Sequence, residues 1–203
     1  MSRKGSAAPP IFNGNGYDDE WTKEAESRGL SNFRTTPDAL PCITAEKNVK
    51  LFEEHKVFTR AELEARQQIY YQNYCKTLNI EALTVIDMVN KDILPAISSY
   101  AGKVCSTAVI KKSCNIGIDS TYEDNTVKEL SSLTSLIYKS VNELEILLIE
   151  IKPLNAVEKA CKFRDVIIPK MEEIRSYVDS AERITAADSW PFPTYADLLY
   201  GVR

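Results

Sequence analysis

The sequence predicts an all-α protein: a bundle of three long, partly kinked helices preceded by shorter N-terminal helices. Three stripes of residues predict it. From Thr59 to about Asn115 the apolar or small residues Leu63, Tyr70, Tyr74, Leu78, Ala82, Ile86, Val89, Ile93, Ile97, Tyr100, Val104 and Ala108 recur at steps of mostly three and four. That spacing keeps them on one side of a helix, whereas a strand would alternate them between two faces. A second stripe runs Val127, Leu130, Leu133, Ile137, Val141, Leu144, Leu148, Ile151, and a third runs Ala156, Ala160, Phe163, Ile167, Met171, Ile174, Val178, Ala181. No such stripe stays dry alone, so the three helices must cover one another. The expected division is an irregular arm with short helices at 1–43, a helical bundle at 44–189 and an aromatic, proline-rich docking tail at 190–203.

The arm begins loosely, with a short strand expected at Pro10-Ile11-Phe12 and turns at Asn13-Gly14-Asn15-Gly16. Asp18, Asp19 and Glu20 suit the positive end of a helix that should stop at Gly29, a natural residue for the left-handed position past a helix end. Thr36 is expected to cap a single turn opened by Pro37 and closed before Pro41. Thr44 should cap a helix from Ala45 to about His55, with Val49 and Phe52 inward and Lys47, Lys50, Glu53 and Glu54 in water.

The first long helix has a complete start signal. Thr59 can accept at the cap, Glu62 can reach back, and Phe58 and Leu63 stand where a hydrophobic staple needs them. Pro95 lies inside this helix and Pro169 inside the last one. Each lacks the N–H that its turn requires, so a bend is expected, with the carbonyls of Lys91 and Asp165 freed. The two contexts, Lys91-Asp92-Ile93-Leu94-Pro95 and Arg164-Asp165-Val166-Ile167-Ile168-Pro169, place Asp at different distances from Pro, which argues against a repeat.

Asn115 to Ser120 should be a loop, and Ser120 with Glu123, or Thr121 with Asp124, can cap the second long helix. Lys152-Pro153-Leu154 leaves room only for a tight reversal, and Asn155 with Glu158 can start the returning helix. The three helices are expected at about 59–114, 122–152 and 155–188. In the tail, Trp190, Phe192 and Tyr195 carry too much apolar area to stay hydrated, so they should dock on the bundle or on a neighbour.

Composition excludes several functions. Lys and Arg number 25 against 29 Asp and Glu, which leaves no basic stripe for a nucleic-acid backbone. No apolar run is expected to approach the length of a membrane span, and no apolar stretch follows the basic start as a secretory leader would require. Cys42, Cys75, Cys105, Cys114 and Cys161 are dispersed, as free thiols of a reducing compartment are, so a cytoplasmic location is expected. The single histidine, His55, rules out multi-histidine metal motifs and reads as a surface or capping residue. Asn13-Gly14-Asn15-Gly16 invites a phosphate-loop reading, but Asp18, Asp19 and Glu20 would repel an anion there, and a plain turn fits better. Glu53-Glu54 and Glu172-Glu173 point about 100° apart on their helices, so neither is a general acid–base pair. Glu143, Glu145 and Glu150 flank an apolar seam. No residue is assigned as catalytic, cofactor-binding or metal-ligating.

Several stretches nevertheless form a specific pattern. They are Ile11-Phe12-Asn13-Gly14-Asn15-Gly16-Tyr17, Glu20-Trp21, Glu24-Ala25-Glu26-Ser27-Arg28-Gly29-Leu30 and Thr36-Pro37-Asp38-Ala39-Leu40-Pro41. Further on come Glu46-Lys47-Asn48-Val49-Lys50-Leu51-Phe52, Asn79-Ile80-Glu81-Ala82-Leu83-Thr84, Lys91-Asp92-Ile93-Leu94-Pro95-Ala96 and Trp190-Pro191-Phe192-Pro193-Thr194-Tyr195. In this order they resemble the C-terminal region of type III glutamine synthetases, over nearly everything from Ile11 onward. The resemblance implies ATP-dependent ligation of ammonia to glutamate, supported by magnesium or manganese, in a large ring-shaped homo-oligomer. It also implies that the family's metal-binding glutamates and histidine, its glycine-rich loop and its phosphate-binding arginines lie upstream of this stretch. The expectation is a C-terminal helical part that contacts the rest of its subunit and neighbouring subunits, with no ATP or metal site, no nucleic acid and no membrane. The alternative is a stand-alone, non-catalytic helical scaffold module.

Overall fold

The computed structural model describes residues 14–114, 117–193 and 195–201, with the side chains of all but residues 195 and 196. The described residues form helices and turns and contain no strand. The strand expected at Pro10-Ile11-Phe12 and the first residue of the Asn13–Gly16 turn lie outside them.

Helix α1 (Asp19–Ser27) ends as its sequence predicts. Gly29 takes a φ of +74°, and the N–H groups of Gly29 and Leu30 return to the carbonyls of Glu26 and Ala25. Helix α2 (Thr36–Ala39) has Thr35 rather than Thr36 at its N-cap position, without a side-chain cap, and runs straight into a 3₁₀ segment, Leu40–Thr44, that passes through Pro41. Proline is tolerated here because the first turn of a helix leaves its N–H groups unpaired in any case. Ala45, not Thr44, stands at the N-cap position of helix α3 (Glu46–Glu54), and no side chain caps it. The Thr44 hydroxyl is turned instead toward Gln67, whose Nε2 donates to Thr44 Oγ1 at 3.0 Å and to the Leu40 carbonyl at 2.8 Å. Tertiary demand has overridden a local cap, and it pins the arm to the bundle, with Leu40 in the common core.

Helix α4 (Arg60–Met88) opens with the full capping box at Thr59 and Glu62. Leu63 is buried and lines one hollow with Phe58, whose ring lies 5.6 Å from that of Phe52 and beneath the Arg66 guanidinium at 4.2 Å. The buried stripe is not quite the expected one. Tyr70 is 47% exposed and Tyr74 half-buried, while Tyr71, Cys75, Leu78 and Ala82 face the core. Leu63 and Tyr70 look toward the arm, and the face rotates once α7 becomes the covering element.

At Val89–Ile93 the helix widens into a π turn, with the Leu94 N–H bonded to the Val89 carbonyl five residues back, and it continues as α5 (Leu94–Ser113). The last helix does the same: α7 (Ala156–Lys162) passes through a π turn at Phe163–Ile167 into α8 (Ile168–Glu182), with Ile168 N–H on the Phe163 carbonyl. Both prolines thus stand two residues past the end of a π turn. The wider turn moves the carbonyls that the pyrrolidine ring would strike, and one local structure serves both kinks. In the matching alignment Val89 pairs with Phe163, Ile93 with Ile167 and Pro95 with Pro169. The two aspartates that argued against a repeat fall out of step in it.

Helix α6 (Thr121–Glu150) turns back along α5, and after the expected reversal at residues 151–155 α7 meets α4 while α8 lies along α6. Asp119 does the work expected of Ser120 or Thr121, accepting from the Thr121 N–H at 2.9 Å. Asn155 caps α7 as predicted, taking the Glu158 N–H at 3.0 Å. The core runs through Ile97, Leu130, Ile137, Val141, Leu144, Phe163, Ile167 and Ile174, all essentially solvent-free.

One expectation about apolar length needs amending. The 54-residue run Arg60–Ser113 contains an 18-residue window of mean hydropathy 1.3, long and apolar enough by composition to cross a membrane. Its residues Ile97, Val104 and Ala108 are turned inward, in the helix that packs on α6. In the tail, Trp190 and Phe192 are half-buried against the core, as expected, whereas the Tyr195 side chain lies outside the described ones. A short helix α9 (Tyr195–Tyr200), not expected from sequence, follows once the prolines are passed, and it exposes Leu198, Leu199 and Tyr200.

Candidate functional site

The residues that first invite a chemical reading are dispersed. Gly14 to Gly16 form an exposed turn, closed by the Tyr17 N–H on Asn15 Oδ1 at 3.1 Å and the Asp18 N–H on the Asn15 carbonyl at 3.2 Å. His55 is exposed at the C-cap of α3. Glu53 accepts from the Arg60 N–H at 3.2 Å and Glu54 lies 3.7 Å from Lys50, both at the surface. All five cysteines are free thiols. Among the described residues, no group of three or more His, Cys, Asp or Glu is placed to hold a metal ion.

Charged side chains cluster instead where elements meet. Lys170 bridges α6 and α8, donating to Glu143 at 2.8 Å and to Glu173 at 2.6 Å, while the Ser140 and Tyr177 hydroxyls reach Glu173 Oε1 at 3.3 Å each. The Lys170 bond holds the Glu173 carboxyl below its ordinary pKa, and Glu143 with Glu173 raises that of Lys170. Glu173 is therefore not the purely solvated residue its sequence context suggests. Arg164, inside the second π turn, grips Asp165 at 2.6 Å and Asp38 of the arm at 2.5 Å. Lys111 binds the buried Glu123 at 2.6 Å and Lys112 binds Asp124 at 2.6 Å, locking α5 to the start of α6. These pairs hold elements in place, and each acid already has its cation.

A cavity of about 490 Å³ opens where α4, the end of α6 and α7 converge. Cys75, Leu148, Ile151, Ala156 and Phe163 form its floor, and Gln72, Lys76, Asn79, Lys152 and Lys159 its rim. The placement follows from the helices. Gln72, Lys76 and Asn79 stand one step beside the buried Cys75–Leu78 stripe, and the Lys152-Pro153 reversal swings Lys152 and Lys159 around the same opening. Lys159 Nζ donates to the Lys152 carbonyl at 3.1 Å. Cys75 Sγ donates to the Ala156 carbonyl at 3.7 Å. Burial pushes the Cys75 thiol up, with the charge of Lys159 opposing, so it stays protonated near neutrality and is a poor nucleophile. The cavity has the chemistry of a binding site. Sequence reasoning missed it, and the one signal within reach was the seven-residue spacing of Lys152 and Lys159 across the reversal; Lys76 joins them only through tertiary packing.

Comparison with known proteins adds a consistent relationship. The profile described as the glutamine synthetase C-terminal domain matches residues 6–112. Glutamine synthetase of Butyrivibrio fibrisolvens is 32% identical over 194 residues, covering 95% of this chain and 28% of its own length. Type-3 glutamine synthetase of Dictyostelium discoideum is 33% identical over 195 residues, covering 94% of this chain and 26% of its own. Glutamine synthetase of Bacteroides fragilis (strain YCH46) is 28% identical over 200 residues, covering 96% and 27%. The chain thus spans little more than a quarter of the length of these curated relatives.

Proposed function

This chain belongs to the glutamine synthetase C-terminal domain family, and from that premise we propose that it is the helical C-terminal part of a type III glutamine synthetase, shaping subunit contacts and carrying no active site of its own. The complete enzyme would ligate ammonia to glutamate with ATP and magnesium or manganese. Here residues 1–43 would be the end of the catalytic portion, 44–189 the bundle and 190–203 the docking tail. Its partners would be the rest of its own subunit and the neighbouring subunits of a cytoplasmic homo-oligomer, with no nucleic acid or membrane involved.

The observation that supports a contact role is the apolar surface left on the long helices. Ile69, Ile80 and Leu83 of α4, Val109 and Ile110 of α5, and Tyr138, Ile146 and Ile149 of α6 are each more than half exposed. Single exposed residues need no explanation, but this many on otherwise well-packed helices is what a surface covered in an assembly looks like. For catalysis, a γ-glutamyl phosphate must form and its transferring charge must be met by metal ions and arginines. Arg164 and Lys170, the best-placed cations of the bundle, are already held by carboxylates.

Incubating the purified chain with magnesium, ATP, glutamate and ammonium should release no phosphate and make no glutamine above a protein-free control. Adding the catalytic portion of such an enzyme should restore an assembly that does. Turnover by the chain alone, surviving repurification, overturns the proposal.

A further inference from the structure

The cavity between α4, the end of α6 and α7 is unlike the rest of the surface. The chain carries four more acidic than basic residues, yet the rim holds Lys76, Lys152 and Lys159 and no carboxylate. Among the described residues none of these three lysines forms an ion pair; others such as Lys47, Lys128 and Lys162 form none either, but these three line one cavity. The rim also holds the amides of Gln72 and Asn79. Below it the floor is apolar and fixed: Phe163 is 1% exposed, and Leu148 and Ile151 are 5% each. A volume of about 490 Å³ is in the range that small-molecule sites occupy.

We propose that this cavity is a binding site for a small organic carboxylate with an apolar body. The body would lie on Leu148, Ile151 and Phe163, and the carboxylate would sit among the ammonium groups of Lys76, Lys152 and Lys159 with the Gln72 and Asn79 amides as further donors. A carboxylate is favoured over a free inorganic anion because the floor offers nothing polar to a phosphate. The lining has no arginine to take a phosphate bidentately and no hydroxyl. An apolar molecule without charge would leave the lysine-rich rim without an anionic partner.

The test is titration of the 203-residue chain with 4-phenylbutyrate, followed by calorimetry and by two-dimensional amide NMR. Saturable binding is expected, with shifts confined to the Gln72 and Asn79 side-chain amides and the backbone of 148–163. Affinity should fall roughly tenfold in Lys76→Gln and in Lys159→Gln, and fall again with added salt. Lys159→Arg should recover most of it. Because Lys159 also bonds the Lys152 carbonyl, Lys76→Gln, which breaks no such contact, is the decisive variant if Lys159→Gln loosens the turn. Equal binding of the uncharged 4-phenylbutanamide overturns the proposal, as does equal binding of inorganic phosphate. So do shifts centred elsewhere, or no saturation at millimolar ligand.

Discussion

At Val89–Pro95 and at Phe163–Pro169 the chain makes the same backbone in different surroundings. In both, a five-residue π turn ends two residues before the proline, and its first and last side chains are buried: Val89 and Ile93 in one, Phe163 and Ile167 in the other. Around the first turn Asn90, Lys91 and Asp92 face water, and Lys91 pairs with Asp87 on its own helix. The second is part of the tertiary structure. Its Phe163 floors the cavity, and its Arg164 ties the turn to the N-terminal arm through Asp38. The comparison separates two causes. Proline chemistry favours a wider turn at both places, since a missing donor and a ring against a carbonyl are local facts. The neighbours set what the turn is used for.

The largest expected difference lies in the first buried side chain of each turn. Phe163→Ala should cost about 3–5 kcal/mol and Val89→Ala about 2 kcal/mol, by urea denaturation, since the lost volume and the residual void differ. Equal costs would mean that the two turns are equally integrated in the core. A second variant probes what they share. Deleting Asn90 removes the extra residue and returns the turn to α geometry without rotating either flank, so Pro95 then meets its carbonyl, at about 3 kcal/mol. Combining the deletion with Pro95→Ala should bring stability back to within about 1 kcal/mol of the parent. Pro95→Ala alone should keep the π turn, because tightening it would rotate Ile93 and Ile97 about 100° away from the core. Loss of the turn in that variant, seen by backbone chemical shifts, would make proline its sole cause.

The smallest effect concerns the arm. The hydrogen bond from Arg164 holds Asp165 below its usual carboxylate pKa, and Asp165 with Asp38 raises that of Arg164. A carboxyl whose folded pKa is depressed adds stability above its unfolded value, near 3.8, and that stability fades as pH falls through the folded value. The melting temperature should therefore drop below about pH 4, less steeply in Arg164→Met. The same variant should speed hydrogen exchange of 36–44 and leave 60–70 unchanged. An identical acid slope in both proteins would reduce the clamp to a surface pair of no consequence.

Much of this was legible in the residues. Thr59 with Glu62, Asn155 with Glu158, Gly29 and the Lys152-Pro153 reversal act through contacts within a few positions of themselves, so the sequence alone set those helix ends. The second and third stripes likewise name the buried apolar positions of their helices, though not the buried Glu123, Thr126 and Ser140, because apolar residues at steps of three and four select one face. Tertiary structure decided the rest. It moved the α4 face from Tyr70 and Tyr74 to Tyr71 and Cys75, since steps of three and four allow two neighbouring phases and only the covering helix selects one. It took Thr44 from its cap to serve Gln67. It set Lys76 beside Lys152 and Lys159, dozens of residues away, around one apolar floor. No local pattern encodes that meeting, because it depends on where two separate helices end against a third.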